Sequence, residues 1–119
     1  MKRVLEIRSY QLQPGSHDDF LRLMTEQSLP LIRAWGMDVV AFGPSLQDAD
    51  AVYLMRAFDS LQHLEQSQEA FYATTAWRQG PRAAIVSRIV SDANTVLELP
   101  EQAIEALRRS LLPAQAHHA

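Results

Sequence analysis

The chain has 119 residues, 47% of them hydrophobic, no cysteine, and 11 Lys and Arg against 14 Asp and Glu for a formal net charge of −3. That length and composition suit one packed domain, and the missing cysteine removes disulfides, thiolate nucleophiles and thiolate metal sites. The basic residues are too scattered to form a nucleic-acid stripe, and no apolar run approaches the roughly 18 residues of a membrane span. Met1-Lys2-Arg3 passes straight into an alternating pattern with no secretory leader. The expected setting is therefore cytoplasmic, without nucleic-acid or membrane partners.

Arg3 to Leu12 alternates as a strand, with Leu5, Ile7, Ser9 and Gln11 on one face and Val4, Glu6, Arg8, Tyr10 and Leu12 on the other. Pro14-Gly15 turns the chain, and Ser16-His17-Asp18-Asp19 reads as a capping box opening a helix. Phe20, Leu21, Met24, Ser28, Leu31, Ile32 and Trp35 recur at helical spacing, and Gly36 suits the C-cap. Pro30 inside this pattern predicts a kink, or a split after Ser28. Asp38 to Gly43 and Ala51 to Phe58 read as a hairpin. Its second strand sets Val52, Leu54, Arg56 and Phe58 against Tyr53, Met55 and Ala57. Asp59-Ser60, with Gln62 completing a box from Asp59, starts a short helix through Leu61, Leu64 and Ser67-Gln68. An aromatic-rich stretch follows. Gly80-Pro81 then opens a helix through Ile85, Val86 and Ile89. Ser91 or Asn94 to Leu99 is a fourth strand, Glu101 to Leu112 a last helix, and Pro113 to Ala119 a frayed tail.

The order β-α-β-β-α-β plus a C-terminal helix predicts an α+β, ferredoxin-like fold with an antiparallel sheet. Residues 1–99 form that domain, and 100–119 supply its helix and tail. Both faces of the first and third strands carry large side chains, while the helices cover one. The second face then requires a partner, and two sheets packed face to face as a homodimer would bury it.

Two groups of residues carry candidate chemistry. Arg8 and Tyr10 share a strand face about 7 Å apart, where Arg8 can hold an anionic or carbonyl oxygen and Tyr10 can exchange a proton as the catalytic pair. Equally, Arg8 pairs with Glu6 while Tyr10 packs in the core. Arg56, on a neighbouring strand, either joins Arg8 in binding a carboxylate or pairs with Glu6. Tyr72, Trp77, Arg78 and Arg82 can form an aromatic and cationic lid that binds a planar anion. In the alternative, Trp77 plugs the core and Arg78 and Arg82 are solvated. His17, His63 and His117-His118 make no metal-ligating pattern, and no phosphate loop, dinucleotide turn or nucleophile elbow occurs, so no metal or cofactor is expected.

The segments Val4-Leu5-Glu6-Ile7-Arg8-Ser9-Tyr10, Leu12-Gln13-Pro14-Gly15, Leu29-Pro30-Leu31, Phe58-Asp59-Ser60-Leu61 and Phe71-Tyr72-Ala73 with Ala76 to Arg82 together resemble the NIPSNAP family over about Val4 to Leu99. The resemblance implies a dimeric α/β-barrel, in a superfamily with haem-degrading and cofactor-free monooxygenases, isomerases and ligand-sensing domains. The Asn, Trp and His set of the haem-degrading branch has no counterpart here: Trp77 is followed by no histidine before His117. The expected function is small-molecule binding, extending to a cofactor-free enzyme of monooxygenase or isomerase type acting on a small planar or anionic substrate. The alternative is a non-catalytic dimeric structural or interaction module.

Overall fold

In the computed structural model the alternation of the first strand divides the molecule into two layers of packing. Strands β1 (Lys2–Leu12), β2 (Asp38–Pro44), β3 (Ala51–Phe58) and β4 (Ile89–Pro100) form one antiparallel sheet in the order β2-β3-β1-β4. This is the ferredoxin-like order expected from the element sequence. Val4, Tyr10 and Leu12 face one side, in a core with Phe20, Leu54, Phe58, Phe71 and Trp77. Leu5 faces the other, with Val40, Ala57 and Ile104. The structure describes residues 1–116, with side chains to residue 111.

The helical layer on the first side departs from expectation in instructive ways. Helices α1 (His17–Leu23) and α2 (Leu29–Trp35) are joined without a break by one wide π-turn, Met24–Ser28. Leu29 N–H donates to Met24 O, five residues back, so Pro30 falls in the first turn of α2, where a missing N–H costs little. The predicted kink is thus a widening, not a split. Gly36 caps α2 at φ +106°, a conformation that glycine adopts freely. The box expected from Ser16 does not form, because its hydroxyl donates to Gln13 O at 2.7 Å. The box expected from Asp59 is shifted by one residue. Ser60 Oγ accepts from His63 N–H at 3.0 Å, and His63 Nδ1 accepts from Asp59 N–H at 3.1 Å.

Helix α3 (Leu61–Tyr72) is long enough to include Phe71 and Tyr72, and the short α4 (Thr75–Arg78) carries Trp77. Helix α5 (Arg82–Val86) ends before Ile89, which begins β4 two residues ahead of its expected start.

Helix α6 (Glu101–Ala116) corrects the expectation that helices cover only one face. It lies on the opposite side of the sheet, where Ile104, Leu107 and Leu111 pack with Leu5, Val40 and Ala57. Arg108 pins it, donating to both Asp38 carboxylate oxygens at 2.9 and 3.0 Å. The helix also runs past the predicted end at Leu112 to Ala116, and the expected fraying of residues 117–119 lies outside the described residues. No helix among the described residues is long and apolar enough to cross a membrane.

Gly80 makes the tight link between α4 and α5. A Cβ there would run into the Ala76 carbonyl oxygen, a backbone atom with little room to move. Gly80→Ala is expected to lower stability by about 1–3 kcal/mol, read as the urea midpoint. An unchanged midpoint would show that the link yields freely.

Candidate functional site

The site grows from one buried carboxylate. Glu6 is fully buried on β1, directly across the strand pair from Arg56 on β3, which is also fully buried. Arg56 Nε donates to Glu6 Oε1 at 2.7 Å. Glu6 Oε2 accepts from Gln68 Nε2 at 2.8 Å, Arg8 Nη2 at 3.1 Å and Asn94 Nδ2 at 3.1 Å. β1, β3, β4 and α3 therefore converge on one side chain. Burial alone would raise the Glu6 carboxyl, but Arg56, the Gln68 bond and Arg8 outweigh it and hold it below the ordinary carboxylate range.

Both arginines reach further, to Tyr72. Its Oη accepts from Arg56 Nη1 at 3.2 Å and from Arg8 Nη1 at 3.4 Å. Three buried polar atoms have no hydrogen-bond partner among the described residues: Arg8 Nε, Arg56 Nη2 and Ser28 Oγ. All three residues line a single cavity of about 320 Å³ between the sheet and the helical layer. Tyr10 and Tyr72 add hydroxyls to it, while Met24, Ile32, Leu54 and Trp77 give it apolar walls. Burial pushes the Tyr10 phenol above its ordinary value of 10, with Arg8 opposing only in part. Tyr10 thus keeps its proton at neutral pH, which leaves its hydroxyl able to donate. Arg8 and Arg56 stay charged: burial works against them, but the neighbouring tyrosine and Glu6 oxygens more than offset it.

Of the residues expected to bind or act, Arg8, Tyr10, Arg56, Tyr72, Trp77 and Arg82 all line this cavity. Arg78 does not; it is exposed on α4, with Trp77 beside it turned inward. Trp77 is both core and wall, because its ring packs 5.6 Å from those of Phe71 and Tyr72. Arg8 and Arg56 likewise combine the alternatives left open by the sequence: each pairs with Glu6, and each lines the cavity with one donor nitrogen left without a partner among the described residues. Sequence reasoning missed Ser28, Asn94 and Asp92 as parts of the site, and Glu6 as its hub. A signal existed for Ser28, which interrupts an apolar helical stripe, and for Glu6, which shares a strand face with Arg8 between apolar Val4 and Leu12.

A family model for NIPSNAP matches residues 5–101. Among solved structures, an uncharacterised NIPSNAP domain protein from Burkholderia xenovorans superposes with a TM-score of 0.74 at 19% identity, covering 82% of this chain and 93% of that one. A NIPSNAP family protein from Agrobacterium tumefaciens gives 0.75 at 17% identity, covering 83% and 87%. A candidate antibiotic biosynthesis monooxygenase from Nitrosomonas europaea gives 0.65 at 12% identity, covering 83% and 91%. At these identities the likeness is one of fold. Comparison with curated proteins finds no match.

Because Glu6 has a lower value folded than unfolded, it contributes stability that is fully present above about pH 4.5 and is lost as pH falls through the folded value. Asp38, held low in the same way by Arg108 and Arg3 against the effect of its burial, adds to this acid limb. Glu6→Gln is expected to cost about 3–5 kcal/mol at pH 7, since it leaves the fully buried Arg56 guanidinium and the part-buried Arg8 without their carboxylate. It should also flatten, without abolishing, the fall in stability below pH 4.5. Urea titrations between pH 2 and 7 check both; an acid limb as steep as the wild type's would remove Glu6 from this role.

Proposed function

Since the chain belongs to the NIPSNAP family, we propose that its cavity binds a small organic monoanion with a flat or apolar body. One observation carries this reading: a fully buried guanidinium, Arg56, and a part-buried one, Arg8, share the single buried carboxylate of Glu6, and each of these two cavity-lining residues keeps a nitrogen without a partner among the described residues. Counting the rest of the lining leaves the same sign, because Arg82 and Asp92 at the exposed rim offset each other. An uncompensated buried cation is costly, and an anion seated against Arg8 and Arg56 offsets that cost with charge-assisted hydrogen bonds. The volume and apolar walls suit a small ring or branched chain.

If the ligand is transformed, this donor set favours stabilising a negative oxygen. Arg8 would hold the developing enolate oxygen, Asp92 at the rim would take the proton from carbon, Tyr10 would return one to the new carbon, and the two groups would re-equilibrate through solvent. Arg56, Tyr72, Trp77 and Arg82 would position the substrate. That is isomerase-type chemistry needing no cofactor. The fold shared with the Nitrosomonas europaea protein supports oxygenation of an electron-rich substrate as the second reading.

Thermal-shift assays with benzoate and phenylacetate, against benzamide and phenylacetamide, test the binding. The acids should raise Tm, by the equivalent of about 2.7 kcal/mol at a hundred times Kd, and the amides should not. Arg8→Met should abolish the response. If no organic anion shifts Tm, and Arg8→Met and Tyr72→Phe alter stability alone, the residues serve a non-catalytic module.

The same reading includes a second copy of this chain. At the border of the cluster that α6 covers, Ile7, Tyr53 and Met55 are only half-buried, and Leu97 is 41% exposed. β4 is an edge strand exposed along almost all of its 12 residues. Long exposed edges with apolar flanks invite pairing. Sedimentation equilibrium should give a dimer, and Leu97→Glu should shift it towards monomer. A wild-type monomer at every concentration would overturn the dimer.

A further inference from the structure

The cavity's polar lining is one-sided. Arg56 Nη2 and Ser28 Oγ, on two fully buried residues, and Arg8 Nε are donors without acceptors among the described residues. Tyr72 Oη already accepts from both arginines, which leaves its own proton free to point inward. The lone carboxylate of the lining, Asp92, stands exposed on β4. Buried donors left unpaired are costly. A ligand that complements this surface is rich in oxygen lone pairs and poor in N–H groups.

Ser28 is the unusual member. A serine within a helix commonly donates its hydroxyl to a carbonyl three or four residues back. Ser28 makes no such bond. It ends the π-turn in which Met24 O is taken by Leu29 N–H, and both Met24 and Ser28 line the cavity with Arg56. Turns of this kind concentrate at functional sites.

Resting on the anion-binding reading above, we propose that Ser28 is a specificity-determining residue. The ligand's carboxylate sits on Arg8 and Arg56, and Ser28 Oγ donates to a second oxygen close to that carboxylate. The simplest ligands of this class are 2-oxo acids with a flat apolar body. Arg56 and Ser28 line one cavity of about 320 Å³, and each has a buried donor without a partner among the described residues, so a single small molecule that displaces their neighbours slightly can meet both.

Calorimetric titration of the full chain with benzoylformate and phenylacetate tests this, since the two acids differ only by an oxo group in place of a methylene. Wild-type protein should bind benzoylformate about tenfold more tightly. Ser28→Ala should bring the ratio close to one by weakening benzoylformate alone. Without ligand, the same variant should be as stable as wild type or more so, because it loses a buried hydroxyl that has no partner. Equal binding of the two acids to wild type overturns the proposal and leaves anion binding standing. So does a preference that survives in Ser28→Ala, whether or not that variant is less stable. Failure of both acids to bind wild type overturns the anion reading as well.

Discussion

A carboxylate removed from water must be surrounded by donors, and satisfying Glu6 organises this molecule. Its two oxygens draw in Arg56 from β3, Arg8 from its own strand, Asn94 from β4 and Gln68 from α3. Ionic groups buried in this way are a poor means of adding stability, but they do specify geometry. Here strand register, the seating of α3 and the direction of both guanidiniums are set by the same few bonds. The second effect is electrostatic. One carboxylate answers two arginines, so the arrangement ends with an excess of positive charge among residues that line the cavity, and with one N–H group on each arginine unpaired among the described residues. What ties the sheet to the helical layer is also what sets two arginines in the lining of the cavity.

The aromatic cluster works in the same double manner. Phe71, Tyr72 and Trp77 pack with ring centroids 5.4–5.6 Å apart, which holds α3 and α4 together. Trp77 and Tyr72 still present a ring and a hydroxyl to the cavity. Core packing and the cavity wall are therefore built from the same side chains.

Much of the fold was legible in the order of the elements. Strict alternation from Val4 to Leu12 and from Val52 to Phe58 fixes which residues share a face, and this alone brings Glu6, Arg8, Tyr10 and Arg56 together once β1 and β3 pair. Less legible were features decided by tertiary context. Pro30 predicts a break, but a widened turn absorbs the missing donor at smaller cost. Asp59 and Ser60 are equally good caps by type, and His63 selects between them. Arg78 and Arg82 look alike in sequence, yet α4 turns one outward and the next short helix sets the other at the cavity rim. Ser28 reads as a small residue within an apolar stripe, and its lack of a partner emerges only with the atoms in place.

Helix α6 also has a geometric consequence. Because Ile104, Leu107 and Leu111 pack over Leu5, Val40 and Ala57, any molecule resting on that side of the sheet has to settle beside the helix rather than on the sheet's centre. The Asp38–Arg108 clasp thereby acts as a mechanical stop. Shortening the chain before Ile104 would bare Leu5 and Val40 and remove whatever offset the helix imposes on its neighbours.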